Sequence, residues 1–170
     1  MIEYRNARPD EGAVLGGLAR ATFIQTFGVL YKLEDLAVFL QQGSDEAYAA
    51  ELADPDIEVR FALSGGAPIG FAKISKLGLP APDPLPGAVE LRQLYLYKPW
   101  QGAGVARALM DWAVERARAR GAPEMWLSVF TDNHRARKFY AGYGFVDVCP
   151  YAFKVGDQED EDILCRAPLA

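Results

Sequence analysis

A chain of 170 residues, 51% of them apolar, can fill one core and is short for two, so residues 1–170 are expected to form a single domain. A net charge of −5 argues against a nucleic-acid partner, which calls for a basic face. One histidine, His134, rules out a multi-histidine metal site, and two distant cysteines, Cys149 and Cys165, fit a reducing, cytoplasmic setting.

The chain opens on MIEYRNARPDEGA, without an apolar h-region, and shows no run approaching eighteen apolar residues, so neither a signal peptide nor a membrane span is expected. IEYRNA (2–7) alternates like a short strand. Pro9 and Asp10 then start a helix over 10–26, with Val14, Leu15, Leu18, Ala21 and Thr22 along one side. Its far end is aromatic: Phe23, Phe27 and then Tyr31. LEDLAVFLQQ (33–42) reads as a second helix stopped by Gly43. Ser44 opens a third that ends near Asp54-Pro55, where proline disfavours helix in the residue before it. Strands over 57–63 and 67–75 flank Ser64-Gly65-Gly66, a hairpin signal. LGLPAPDPLPGA (77–88) holds Pro80, Pro82, Pro84 and Pro86 and reads as an exposed loop.

Next comes the stretch that organises the rest. VELRQLYLYKPWQ (89–101) reads as a strand and GAGVARALMDWAVERARARG (102–121) as a turn leading into a helix. Val105, Ala106, Leu109, Met110, Ala113, Val114 and Ala117 form one apolar face. Arg116, Arg118 and Arg120 suit the negative end of the helix dipole, and Gly121 ends the helix. The first amides of a helix have no partner within it, so a small-residue turn fed by a strand can cradle phosphates. No Lys-Ser or Lys-Thr follows, which excludes a P-loop. Gly102, Gly104 and Arg107 give Gly-x-Gly-x-x-Arg rather than a dinucleotide fingerprint, and Glu124 opens the next strand where the ribose-binding acid should close it.

PEMWLSVF (123–130) is a nearly all-apolar strand. A strand, a helix and a strand in this order predict a right-handed crossover between parallel neighbours. Asp132 or Asn133 caps a helix, HRARKFYAGY, with Ala136, Phe139, Tyr140 and Tyr143 inward and Gly144 at its end. FVDVCPYAFKV (145–155) and DILCRAPL (162–169) read as two closing strands around an acidic turn over 156–161. The expected class is a mixed α/β domain with an antiparallel front half, one crossover and a closing hairpin.

With both halves in view, residues 88–146 resemble the core of the GNAT (GCN5-related N-acetyltransferase) family. Four features coincide in order. They are the strand ELRQLYLYKPWQ, the loop Gln101-x-x-Gly104-x-Ala106, the strand MWLSVF, and the string Asn133-x-x-Ala136-x-x-Phe139-Tyr140-x-x-x-Gly144-Phe145. More loosely, residues 21–28 and 153–169 are similar to the branch that acetylates spermidine and spermine. The resemblance implies a mostly antiparallel central sheet with flanking helices and a splayed strand pair that binds acyl-CoA.

It also implies roles. The backbone of Gly102, Ala103, Gly104, Val105, Ala106 and Arg107 would hold the acetyl-CoA pyrophosphate, with Gln101 at the motif's first position. Leu94, Tyr95 and Leu96 would pair their backbone with the pantetheine arm, as an added strand does. Asn133 looks like the family's side-chain contact to the cofactor. Tyr140 matches the tyrosine that protonates the departing thiolate. Glu90 lies four residues before Leu94. It therefore shares that strand face with Arg92, Leu94 and Leu96, and a glutamate at this spacing often serves relatives as the base. An amine of the lysine type has a pKa of about 10.4 and must lose a proton before it attacks the thioester. No metal and no covalent enzyme intermediate is required.

Plainer accounts stand beside these. Tyr140 could be a core tyrosine, Asn133 only a helix cap, and Glu90 a charged strand end paired with Arg92. Phe23, Phe27, Tyr31, Tyr151 and Phe153 could be core residues or could line the acceptor site. His134 reads as solvated, and Cys149 has no base partner that would make it a nucleophile. The acidic run at 157–162 reads as a solvated turn, with recruitment of a polyamine as the alternative. The expected function is direct acetyl transfer from acetyl-CoA to a primary amine on a small molecule, a polyamine first. Acetylation of a protein N-terminus or lysine is one rival, and a non-catalytic acyl-CoA sensor or scaffold is another. The resemblance leaves room for a homodimer through the closing strands.

Overall fold

The computed structural model describes residues 1–169. Strands β1 (Ile2–Asn6), β2 (Glu58–Ser64), β3 (Ala67–Lys76), β4 (Val89–Leu96), β5 (Glu124–Phe130), β6 (Val146–Val155) and β7 (Gln158–Pro168) form one sheet in the order β1-β2-β3-β4-β5-β7-β6. Every neighbouring pair is antiparallel except β4–β5. Helices α1 (Gly12–Phe27), α2 (Leu33–Gln42) and α3 (Asp45–Ala53) cover one face. Helices α4 (Val105–Ala119) and α5 (His134–Ala141) cover the other.

The parallel pair is the expected crossover, with α4 as its connection. Only Val89↔Met125 and Glu90↔Trp126 are paired, so beyond Glu90 the two strands part. This is the splay, and it opens the sheet from one face to the other.

α1 shows how burial selects a face. Leu15, Leu18, Ala19, Thr22 and Phe23 are buried, at i, i+3, i+4, i+7 and i+8. The expected stripe through Val14 and Ala21 is rotated: Val14 is 45% exposed. The reason is α3. A Cβ at Gly12 would lie 2.7 Å from the Ala49 backbone, so α1 presses its glycine side onto α3. The helix with its following 3-10 turn (12–30) is also long and apolar enough to cross a bilayer, contrary to the expectation from uninterrupted runs. Small residues raise its mean hydropathy, yet its large side chains Leu15, Leu18 and Phe23 pack on the sheet.

Three further expectations need correction. β4 ends at Leu96, and Lys98–Trp100 form a 3-10 turn around Pro99. The closing hairpin turns at Gly156-Asp157, so Gln158–Glu161 belong to β7 rather than to a solvated turn. Lastly, β4 bulges against β3. Lys73 pairs with Gln93 and Ile74 with Leu91, leaving Arg92 extra. The bulge inverts the alternation. Val89 and Leu91 face α4 together with Leu94 and Leu96, and Glu90 faces the α1–α3 side with Gln93 and Tyr95.

Candidate active site

A cavity of about 480 Å³ runs through the splay. Its α4–α5 side begins at the turn before α4. Gly102 (φ +87°) and Gly104 (φ +82°) both adopt the left-handed conformation that favours glycine. The first helical bond runs from the Ala108 N–H to the Gly104 carbonyl, so the amides of Val105, Ala106 and Arg107 have no partner inside the helix. No acidic residue occupies this first turn. The positive end of the helix dipole therefore meets the cavity uncompensated. Gln101 is anchored on both sides: it donates to the Leu96 carbonyl at 3.4 Å and accepts from Arg135 at 2.6 Å. Arg135, on α5, also lines the cavity and was not singled out from the sequence.

Of the residues expected at the cofactor, Leu94, Tyr95, Leu96, Gln101, Gly102, Gly104, Ala106, Arg107 and Asn133 line this cavity. Ala103 does not, and Val105 is fully buried against Leu109 and Leu96. For these two, only the backbone can contribute. Asn133 caps α5 through the Ala136 amide at 3.2 Å and lines the cavity as well.

Tyr140 lies on the same cavity, wedged between Phe139 and Phe145. Among the described residues none hydrogen-bonds its hydroxyl, and burial pushes its pKa up. A tyrosine kept protonated in this way can give a proton to a leaving group. Tyr95, from β4, lies within electrostatic reach of Tyr140 and of Asp162, and burial raises it too.

The other side of the cavity is aromatic and acidic. Phe23, Phe27 and Tyr31 come from α1 and its end, and Phe153, Asp160 and Asp162 from the closing hairpin. Phe23 stacks on Tyr31 with ring centroids 5.9 Å apart. The Tyr31 hydroxyl donates to Asp160. Gln158 donates to the Leu30 carbonyl, and the Asp157 amide to Asp35 of α2. These contacts stitch the hairpin to the helices as one wall. Asp162 is pushed up to about 6, first by burial and then by the charge of Asp160. Thr26, Ser128, Asp160 and Asp162 were not picked out singly. Of these, only the two acids left a signal, and it was masked by the run of acids around them.

Glu90 lines a second cavity of about 340 Å³ that shares Phe23, Arg92, Gln93, Tyr95, Ser128 and Phe153 with the first. Its Oε2 accepts from the amides of Gly78 (2.9 Å) and Leu79 (3.2 Å). Arg92 pairs instead with Glu51. Tyr151 also lines this second space.

Comparison with known proteins adds to this geometry. The model of the acetyltransferase (GNAT) family matches residues 24–145. An uncharacterized N-acetyltransferase of Lactobacillus delbrueckii subsp. lactis is 29% identical over 153 residues, 89% of this chain and 88% of the relative. One from Mycobacterium tuberculosis is 32% identical over 151 residues, covering 88% and 92%. The crystal structure of the PaiA N-acetyltransferase of Thermoplasma acidophilum in complex with coenzyme A superposes with a TM-score of 0.79. It is 21% identical and covers 99% of each chain.

Proposed function

The chain belongs to the GNAT acetyltransferase family and is an acetyl-CoA-dependent N-acetyltransferase, and from that premise we propose that its acceptor is a primary amine on a small molecule, a polyamine first. The observation that carries this reading is the far wall of the cavity. It offers aromatic faces at Phe23, Phe27, Tyr31 and Phe153 beside two carboxylates, Asp160 and Asp162. Such a wall suits an ammonium group on an apolar body. Its stitching through Tyr31–Asp160 and Gln158–Leu30 ties the hairpin to the end of α1, which favours a small acceptor over a long peptide.

Acetyl-CoA supplies the activated acetyl thioester. The residues fit it: unpartnered amides and left-handed glycines suit a pyrophosphate, Arg107 and Arg135 add charge, and the unpaired edge of β4 over Leu94–Leu96 suits an extended amide arm. In this reading Gln101 and the backbone from Gly102 to Arg107 hold the phosphates. Asn133 fixes the start of α5 beside them. Tyr140 gives its proton to the leaving sulfur. Glu90, as the base expected from the sequence, would have to act from the adjoining cavity. Transfer is direct, in a ternary complex, with no metal. The outer edge of β6 is the surface that a homodimer through the closing strands would use, and the unpaired Cys149 and Cys165 fit a reducing cytoplasm.

The test is thiol release from acetyl-CoA, followed optically, across spermidine, spermine, putrescine, aminoglycosides, amino acids and short peptides. Saturable release with a polyamine is expected. Release with peptides alone would move the assignment to protein acetylation. Tight acetyl-CoA binding with no release would favour the sensor.

A further inference from the structure

Asp162 is a buried acid with an unusual lack of partners. It is 7% exposed and lies within β7, opposite Phe130 of β5 and Tyr151 of β6. A carboxylate withdrawn from water needs a cation or several donors. The other acids of the interior have them. Glu11 takes Arg5 and Arg8, Glu124 takes the Trp126 indole and the Leu85 amide, and Asp160 takes Tyr31. Among the described residues no cation pairs with Asp162 and no N–H donates to it; the Ser128 hydroxyl alone lies near enough to favour its ionised form. Nor are its oxygens sealed off. The described buried side-chain atom that lacks both solvent and a partner is Gln93 Oε1, and Asp162 instead lines the main cavity, as Tyr140 does.

We propose that Asp162 is the catalytic residue that takes the proton of the acceptor's ammonium group. The proposal rests on the amine reading above. The step balances as follows. R–NH3⁺ gives one proton to the Asp162 carboxylate, and the freed lone pair forms the C–N bond to the acetyl carbonyl carbon. The C–S bond breaks, and the sulfur takes its proton from the Tyr140 hydroxyl. The nitrogen's second proton restores that hydroxyl. Asp162 returns its proton to solvent, so amide, thiol and one proton are the products. Glu90 is less suited, because two loop amides already occupy its Oε2 and it lies in the adjoining cavity.

A proton affinity near neutrality is what a base at working pH needs. Burial sets it at about 6 together with Asp160, the like charge on the same strand face. The remaining titratable and charged groups around it are Tyr151 on β6, Tyr31 after α1, Tyr95 and Arg92 on β4, and Tyr140 on α5.

The experiment is the pH profile of kcat/KM between pH 5 and 9, with acetyl-CoA and whichever amine of the panel releases thiol fastest. Asp162→Asn is expected to lose about a hundredfold in kcat/KM for the amine. Its acetyl-CoA affinity should stay within twofold, and the acid limb near pH 6 should vanish. Asp160→Asn, which removes a like charge and can still accept from Tyr31, is expected to raise the KM for the amine and to move that limb to lower pH. It serves as the second variant if Asp162→Asn fails to fold. A carboxyl ¹³C signal titrating near pH 6 in the acetyl-CoA-free protein, and missing in Asp162→Asn, is the readout independent of turnover. Wild-type activity in Asp162→Asn, an acid limb unmoved in Asp160→Asn, or loss of the limb in Glu90→Gln would each overturn the assignment alone. A wild type silent toward every amine would overturn the amine reading and this proposal with it.

Discussion

On the α4–α5 side of the cleft, the groups that meet the cavity come largely from two short stretches, 101–107 and 133–140, and much of what they offer is backbone. On the α1 side they come from the end of α1 and from β6 and β7, positions more than a hundred residues apart, and what they offer is side chain. In the proposed function the first wall would read an invariant ligand, a pyrophosphate, through amides that any sequence possesses once two glycines permit the turn. The second would read the acceptor, so its chemistry would be written in particular aromatics and acids. Changes on the two sides should therefore separate in the kinetics.

The largest effect is expected where the walls meet. Tyr140→Phe removes the hydroxyl proposed to protonate the sulfur and should lower kcat about a hundredfold. Acetyl-CoA affinity, measured by calorimetry, should stay nearly intact, because the ring still packs on Phe139 and Phe145. Unchanged turnover would remove Tyr140 from the chemistry. Gly104→Val tests the backbone wall alone. A Cβ there meets no atom within 4 Å, but a φ of +82° is strained for a β-branched residue. A strain of about 1–3 kcal/mol would move the amides, so acetyl-CoA should bind about tenfold more weakly with the acceptor KM little changed. A rise in the acceptor KM alone would break the division between the walls.

How much of each wall was legible follows from the same contrast. The turn, the crossover helix and the Asn133 cap are local, and their periodicity and end signals stand in consecutive residues. The acceptor wall is not local. Tyr31 meets Asp160 only because the sheet order brings β7 in beside β5. Gln158, Asp160 and Asp162 turn inward while Glu159 and Glu161 turn outward, a strand alternation hidden by charge on both faces. The bulge at Arg92 had no signal at all. It arises from pairing with β3, and it placed Glu90 on the opposite face from the one a regular strand gives.

A smaller effect concerns what holds the side-chain wall to the sheet. Glu11, at the start of α1, is bound by Arg5 of β1. That hydrogen bonding, opposed by burial and helped by the Arg8 amide, depresses its pKa to about 2. Its folded value lies below the unfolded one. The stabilisation is therefore present above about pH 4.5 and is lost as pH falls toward 2. Glu11→Gln should cost about 2 kcal/mol at neutral pH. Thermal melts of the variant should depend less on pH between 4.5 and 2 than those of the parent. An equal dependence in both would move the source of acid lability elsewhere.

The smallest and most selective change is Tyr31→Phe. It keeps the stacking on Phe23 and removes only the hydroxyl that Asp160 accepts from. Water can replace that donor, so the cost in stability should be well under the about 1.5–3 kcal/mol of a hydrogen bond to a charged group. The acceptor KM should rise about threefold as the wall loosens, a shift of about 0.6 kcal/mol. The acetyl-CoA KM should not move. Asp160 would then carry a less shielded charge beside Asp162, so the acid limb of the profile should move slightly to higher pH. A shift in the acetyl-CoA KM instead would mean that the two walls communicate through Tyr95, a side chain in electrostatic contact with Tyr31, with Asp162 and with Tyr140.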